Sequence, residues 1–81
     1  MTVKMFTLST CGHCRAAKRF MEENAIAFEF TDVDLLTGDE RKKAIEELTN
    51  YNPMRSFPTI LIDDAVLVGF SETKLRKAFE L

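Results

Sequence analysis

The sequence predicts an α/β fold in which a four-stranded mixed sheet packs against helices, with the element order β-α-β-α-β-β-α. Two observations carry this prediction. Short apolar runs with strand-like spacing alternate with segments whose apolar residues recur at helical spacing. The last two apolar runs, TILI and AVLV, are separated only by Asp63 and Asp64, which indicates a hairpin. The first β-α-β portion requires parallel strands and a right-handed crossover, whereas the hairpin adds antiparallel strands.

The first half of the chain is predicted to form a strand, a helix and a second strand. The run VKMFTL, residues 3–8, is short, apolar and rich in strand formers. A helical face then begins after Cys14, and Asn24 can end that helix; the apolar residues on this face are Ala16, Ala17, Phe20 and Met21. Alternation over residues 26–30 predicts the second strand, with Ile26, Phe28 and Phe30 on one side.

The second half is predicted to contain two more helices around the hairpin. Thr37 and Glu40 have the spacing of a capping box at the start of the next helix. Its apolar stripe is Ala44, Ile45 and Leu48, and its end is marked by Asn50, Asn52 and Pro53. Ser71 can cap a last helix that presents Leu75, Ala78 and Phe79. Most phenylalanines are assigned to the core, namely Phe6, Phe20, Phe28, Phe30 and Phe79; Phe57 and Phe70 are expected to rim an apolar patch around Cys11.

Length and composition limit the class of protein. The 81 residues suit a single domain, expected to span residues 1–81. A net charge of −2 provides no basic surplus for binding nucleic acid or acidic membranes. No apolar run approaches the roughly 18 residues of a membrane span, and residues 1–10 lack the apolar region of a signal peptide. We therefore expect a monomeric, cytoplasmic protein that binds neither nucleic acid nor membranes.

The residues with the clearest chemistry are the two cysteines of the segment STCGHC. Cys11 is predicted at the junction of strand and helix, and Cys14 inside the first helical turn. Unpaired N–H groups and partial positive charge at a helix N-terminus stabilise a thiolate and lower its pKa below the free value of about 8.5. Because a spacing of three residues brings two sulfurs within bridging reach on a helical turn, we expect Cys11 to be the exposed nucleophile and Cys14 the buried resolving thiol.

The two intervening residues, Gly12 and His13, are expected to tune the redox couple. An imidazolium at His13 would favour the Cys11 thiolate, destabilise the disulfide and shift the couple towards oxidising potentials. The alternative is a solvated histidine that happens to lie in the turn.

Three other interpretations of the cysteine pair stay open at this point. A structural zinc site would use Cys11, His13 and Cys14, but the chain has no second Cys/His pair to supply a fourth ligand. A cysteine protease shares the pattern CG-x-C, yet His13 is the only histidine and the chain is too short for such a fold. The pair can also be inert and buried, although C-x-x-C opening a helix after a strand is a fairly specific signal of redox chemistry.

The segment RSFPTI, residues 55–60, places a proline directly before an apolar strand. With this segment and the cysteine pair, the chain resembles the thioredoxin fold in its short glutaredoxin-like form. The resemblance rests on C-x-x-C after the first strand, X-Pro-Thr before a hairpin, then a glycine and a final helix, and it covers essentially the whole chain. It implies that the Phe57–Pro58 peptide is cis and lies beside the cysteines, whereas proline statistics alone favour trans. It also implies that the backbone of Phe57 pairs with a bound substrate.

Two branches of this family are partly distinguishable. Glutaredoxins usually carry Thr-Val-Pro and a Gly-Gly-Asp-like segment that holds glutathione, whereas this chain has Ser56-Phe57-Pro58 and Gly69-Phe70-Ser71-Glu72, without the paired glycine. The triplet GFS is similar to the Ser-Gly-Phe segment of the NrdH-type redoxins, which take electrons from thioredoxin reductase and supply ribonucleotide reductase. No Trp-Ser precedes the glycine here, so the match is partial.

The resemblance implies a thiol–disulfide oxidoreductase that reduces protein or glutathione mixed disulfides through Cys11 and Cys14. The expected substrate-binding residues are Arg55, Phe57, Pro58, Gly69, Phe70, Ser71 and Glu72. Arg15, Lys18 and Arg55 can attract an anionic ligand such as glutathione, with an ordinary solvated face as the alternative. No metal and no tightly bound organic cofactor is expected; glutathione would be a co-substrate, and glutathione or thioredoxin reductase the electron donor. A competing hypothesis is a dimeric glutaredoxin that carries an iron–sulfur cluster ligated through Cys11.

Overall fold

The computed structural model describes all 81 residues and has the predicted element order. The strands are β1 (Val3–Thr7), β2 (Glu29–Asp32), β3 (Thr59–Ile62) and β4 (Ala65–Val68). The helices are α1 (Gly12–Glu23), α2 (Gly38–Tyr51) and α3 (Glu72–Ala78). A turn of 3-10 helix at Val33–Leu35 joins β2 to α2. No helix combines the length and the apolar character that a membrane crossing would require.

The four strands form one mixed sheet in the order β2-β1-β3-β4. β1 is parallel to β2, as the crossover through α1 requires, and antiparallel to β3, which pairs with β4 as a hairpin. The register places Thr7 opposite Asp32 and Phe6 opposite Thr59. The carboxyl ends of β1 and β2 and the start of β3 therefore meet at one end of the sheet, where α1 begins.

Alternation along the strands divides the core between the two faces of the sheet. One face packs against α1 and α3, and its buried cluster consists of Val3, Met5, Ala17, Phe20, Met21, Ile60, Ile62 and Leu75. The other face is covered mainly by α2, with a cluster of Phe6, Val33, Ala44, Leu48 and Leu61. Since the sheet is covered by helices on both faces, β3 is buried at all four positions and reads as a continuous apolar run.

The second strand differs from its prediction. β2 begins at Glu29 rather than at residue 26, and Phe30 is 50% exposed instead of lying in the core. Ile26 and Phe28 do pack against the core, but from the segment that precedes the strand. β2 is an edge strand, so the ring of Phe30 has strand neighbours on one side only, and Lys18 covers one of its faces with Nζ 3.9 Å from the ring centroid.

The capping box predicted at the start of α2 is also wrong. Thr37 does occupy the N-cap position, but its side chain makes no capping hydrogen bond. The chain enters α2 through Gly38, which has a φ of +56°, a left-handed conformation that glycine adopts readily. Asp39 and Glu40 lie in the first turn, where their charge is favoured by the helix dipole.

Candidate functional site

The loop between β1 and α1 places Cys11 at the N-cap of the helix. Cys11 has extended backbone angles, and its Sγ accepts a hydrogen bond from the Cys14 amide at 3.4 Å. Its carbonyl accepts from the amide of Arg15 at 3.1 Å. Sulfur thus occupies the position that an oxygen of Ser, Thr or Asp usually fills at a helix start, with an otherwise unpartnered amide directed at it.

Cys14 lies one turn into the helix and faces the interior. It is fully buried, whereas Cys11 remains partly exposed, and both are free thiols. The amide of Leu8 donates to Cys14 Sγ at 3.5 Å, and the carbonyl of Leu8 accepts from the Cys11 amide at 3.2 Å. One residue of the preceding loop therefore contacts both cysteines.

The surroundings shift the pKa values of the two thiols in opposite directions. Hydrogen bonding from the Cys14 thiol, helped by the amides of Cys14 and His13 and the charge of Arg15, lowers the pKa of Cys11. Burial, followed by the hydrogen bond to Cys11, raises the pKa of Cys14 to about 12, against the opposing effects of the Leu8 amide and the Lys18 charge. The partly exposed sulfur is therefore the one that ionises more readily.

Gly12 and His13 are both exposed, on the solvent side of the turn. His13 lowers the pKa of the Cys11 thiol through its backbone amide. This contribution does not depend on the side chain, so the tuning role of the imidazole stays a prediction. Arg15, one residue beyond Cys14, is the side chain whose charge acts on Cys11.

The Phe57–Pro58 peptide is cis, as the resemblance implies, and Pro58 is buried at the start of β3. The carbonyl of Pro58 accepts from the Gly69 amide at 2.7 Å, which fixes the segment after β4 beside this loop. The backbone N–H and C=O of Phe57 make no hydrogen bond within the chain. Its half-buried ring packs against the core cluster under α2 rather than standing free as a rim.

The remaining predicted contact residues fall in two places. Phe70 is half-buried against the core and lines, with Glu72, a shallow groove on the surface of α1. Ser71 caps α3 as predicted, accepting from the Lys74 amide at 3.3 Å, and Glu72 pairs with Arg76 at 3.1 Å. Arg55 turns towards α2 instead, with Nε donating to Thr49 Oγ1 at 3.0 Å.

Sequence reasoning missed the polar residues that hold this end of the sheet together. Asn52, predicted only as a helix breaker, is buried and bonds across the proline loop to Ser56 and Thr59. Ser9 binds Asp34 through its amide and its hydroxyl. Hydrophobic periodicity gives no signal for polar pairs, whether the partners are 4 residues apart, as Asn52 and Ser56 are, or 25, as Ser9 and Asp34 are. No three His, Cys, Asp or Glu side chains are grouped in a way that could hold a metal ion.

A cysteine pair at the start of the first helix, next to a cis-proline strand in a four-stranded mixed sheet, defines a thioredoxin-like fold. The Glutaredoxin family model matches residues 3–67, and the chain belongs to the glutaredoxin family. That family comprises thioredoxin-fold oxidoreductases, so a redox role follows at the level of the family.

Individual relatives agree with this assignment. The chain is 28% identical over 78 residues to an uncharacterized glutaredoxin-like 8.6 kDa protein in the rubredoxin operon of Clostridium pasteurianum, covering 96% of this chain and 97% of the relative. It is similar to the crystal structure of methanoredoxin from Methanosarcina acetivorans, with a TM-score of 0.93 and 36% identity over 99% of this chain and 85% of that one. It is also similar to NrdH-redoxin from Escherichia coli, a glutaredoxin-like protein with a thioredoxin-like activity profile (TM-score 0.77, 27% identity, 95% and 93% coverage).

Proposed function

We propose that this protein is a dithiol oxidoreductase that reduces protein disulfides or glutathione mixed disulfides, with Cys11 as nucleophile and Cys14 as resolving thiol. The observation that carries the proposal is the asymmetry of the pair. Cys11 is partly exposed and its pKa is lowered, whereas Cys14 is fully buried and its pKa is raised. The thiolate is the reacting form, so attack on an external disulfide falls to Cys11.

The reaction takes two exchange steps. In the first, the Cys11 thiolate attacks one sulfur of the substrate disulfide; a Cys11–substrate disulfide forms and one substrate thiolate leaves. In the second, Cys14 loses its proton to solvent and attacks Cys11 Sγ, which releases the remaining substrate thiolate. The substrate gains two electrons, and the protein is left with a Cys11–Cys14 disulfide. The sulfurs carry both electrons, so the reaction calls for no resident organic cofactor.

The proline loop is the proposed docking edge. The unpaired N–H and C=O of Phe57 are available to an extended substrate segment, which would pair with them as an added strand does. The buried, cis Pro58 fixes the direction of these groups, and Gly69 holds the loop from the other side. Phe70, Ser71 and Glu72 follow on the next turn of the chain and complete the proposed contact surface.

A trapping experiment tests the cysteine roles. Cys14→Ser should form a stable mixed disulfide with a disulfide substrate such as oxidised glutathione, and mass spectrometry of peptides should place it on Cys11. Cys11→Ser should form none and should have no disulfide reductase activity. Preferential capture of glutathione by Cys14 in the wild-type dithiol would contradict the assignment. Visible absorbance of anaerobically purified protein serves as a check, because an iron–sulfur carrier would be coloured and the proposed dithiol enzyme colourless.

The physiological donor is tested by following NADPH consumption with the oxidised protein. One assay contains glutathione and glutathione reductase, and the other contains thioredoxin reductase. Because the paired glycine of the usual glutathione segment is missing and the chain resembles NrdH-redoxin, we propose thioredoxin reductase as the donor and a disulfide enzyme of the ribonucleotide reductase kind as the partner. Rapid reduction by glutathione alone would instead assign Arg55 and the Ser71–Glu72 turn to glutathione binding.

A further inference from the structure

A polar clamp holds the loop that carries the cysteine pair. The amide of Ser9 donates to Asp34 Oδ1 at 2.9 Å, and the Ser9 hydroxyl donates to the other carboxylate oxygen of Asp34. Both oxygens of one carboxylate are therefore used by one residue. The hydroxyl and amide of Ser9 together lower the pKa of Asp34, so the carboxylate is the form that makes these bonds.

The sheet register brings the two residues together. Thr7 at the end of β1 lies opposite Asp32 at the end of β2, so the positions two residues further along each chain, Ser9 and Asp34, are also side by side. Asp34 belongs to the 3-10 turn whose neighbouring residue Val33 is 1% exposed and packs in the core cluster under α2. The half-exposed acceptor Asp34 is thus held in place by a chain neighbour that is buried in the core.

The donor side of the clamp is adjacent to both cysteines. Ser9 follows Leu8 directly, and Leu8 is the residue whose amide donates to Cys14 Sγ and whose carbonyl accepts from the Cys11 amide. Fixing Ser9 fixes the peptide that follows Leu8 and limits how Leu8 can turn. The hydrogen bond from the Leu8 amide to Cys14 Sγ is 3.5 Å long. Leu8 is held on one side by Thr7 at the end of β1 and through its carbonyl by the Cys11 amide, and the clamp adds the constraint on the side of Ser9.

We propose that Asp34 is a positioning residue for the second exchange step: through Ser9 it holds the Leu8 amide on Cys14 Sγ, where that amide stabilises the thiolate that attacks the mixed disulfide. This proposal rests on the proposed dithiol mechanism. In that step the Cys14–Cys11 bond forms, the Cys11–substrate bond breaks, and the Cys14 proton goes to solvent. Buried Cys14 has few other donors, so losing the amide slows the step in which negative charge develops on its sulfur.

One reagent separates the two steps. The reduced protein is mixed with excess dithiobis-nitrobenzoate, and the coloured thionitrobenzoate is followed in a stopped-flow instrument. Attack by Cys11 releases the first equivalent and leaves a mixed disulfide; attack by Cys14 releases the second. Cys14→Ser, which stops after the first equivalent, assigns the two phases.

Asp34→Ala is expected to slow the second phase about tenfold, as expected for loss of one hydrogen bond to a developing charge. The first phase should slow much less than the second, because the amide that caps Cys11 Sγ comes from Cys14, and the Leu8 carbonyl contacts only the backbone amide of Cys11. Asp34→Asn, which keeps one oxygen acceptor, should slow the second phase less. Asp64→Ala is the matched control, since it removes the same charge in the exposed hairpin turn at the opposite end of the sheet and should leave both phases unchanged.

The expected slowing of the second phase distinguishes loss of the clamp from a simple effect of the Asp34 charge. Removing a nearby negative charge would by itself favour a thiolate and accelerate the second phase, whereas loss of the clamp retards it. The pH dependence gives a second readout: the second-phase rate of Asp34→Ala should reach a given value only at higher pH than that of wild type. If Asp34→Ala does not fold, as judged by its thermal melt, Ser9→Ala removes the hydroxyl arm alone and should slow the second phase by a smaller factor.

The positioning role would be overturned if folded Asp34→Ala had a second phase at the wild-type rate. If Asp34→Ala does not fold, second phases at the wild-type rate in both Ser9→Ala and Asp34→Asn would overturn it. Equal slowing of both phases would overturn it as well, because it would indicate general loosening of the site. Failure of the dithiol mechanism itself has a different result: wild-type protein would then release no second equivalent, or Cys11→Ser would release its single equivalent as fast as the first phase of wild type.

Discussion

Replacement of Asn52 by alanine tests whether the loop before β3 is held by a specific polar network or only by the fold. Asn52 is 4% exposed at the end of α2. Its Nδ2 donates to Ser56 Oγ and to Thr59 Oγ1, both at 3.0 Å, and its Oδ1 accepts from the Met54 amide at 3.1 Å. These bonds span the chain on either side of the loop that contains Phe57, so the substitution releases it.

The expected loss follows from what each partner can do afterwards. The Met54 amide lies on an exposed residue, and water can replace Asn52 there. The bond to Thr59 joins two buried side chains and contributes about 1 kcal/mol, whereas Ser56 is exposed and its bond contributes about 0.5–1 kcal/mol. The shortened side chain also leaves a small cavity, which costs on the order of 1 kcal/mol. Asn52→Ala should therefore lower the free energy of unfolding by about 2–4 kcal/mol, a large part of the stability of a chain this small.

Urea unfolding followed by circular dichroism measures this loss, with the slope m checked for two-state behaviour. Asn50→Ala is the control, because Asn50 is exposed on the same helix. Asn52→Asp adds a pH test: a buried carboxyl keeps its proton more readily in the folded state, so this variant should gain stability as the pH is lowered. Equal midpoints for Asn52→Ala and Asn50→Ala would refute the network argument.

Three further predictions concern stability. Ala25→Gly should raise the free energy of unfolding by about 0.5–1 kcal/mol in urea unfolding, because Ala25 has a φ of +54°. Lys18→Met should lower it by about 1–2 kcal/mol, since the Lys18–Asp32 pair has side chains only 19% and 15% exposed, and Lys18→Met/Asp32→Asn should recover part of the loss in a double-mutant cycle. The pKa of Asp34 is lowered, so its stabilising contribution is present above the unfolded pKa and is lost as pH falls through the folded one; acid titration of wild type should show a loss below about pH 4 that Asp34→Asn lacks.

The sequence predicts the elements of this fold well where one local signal decides them. The hairpin is confirmed because only Asp63 and Asp64 separate two apolar runs, and α1 ends at Asn24 as expected. Phe30 was assigned wrongly because alternation cannot reveal that its strand lies at an edge of the sheet. Local patterns report which face of an element is apolar, but not how far the neighbouring elements extend over it.

The same limit applies to the candidate site, where local signals predict some features and long-range contacts decide the others. The lowered pKa of Cys11 could be anticipated from its place at the helix start, and the burial of Cys14 from the face of the helix on which it lies. The raised pKa of Cys14 follows from that burial. The Ser9–Asp34 clamp could not be anticipated, because it depends on the register of a parallel strand pair. A slip of one residue between β1 and β2 would bring a different residue opposite Ser9 while leaving the hydrophobic composition of both strands unchanged.

The contacts of Cys14 also order the two steps of the proposed reaction. Besides burial, two of the causes that raise the Cys14 pKa come from Cys11 itself: its hydrogen bond with Cys14 and its negative charge. Both disappear when Cys11 becomes part of a mixed disulfide, because its sulfur is then neutral and no longer a thiolate. The Leu8 amide and the Lys18 charge, which lower the Cys14 pKa, remain. Cys14 therefore stays protonated while Cys11 is free and ionises more easily once Cys11 has reacted, so the protein holds back its second nucleophile until there is a mixed disulfide to resolve.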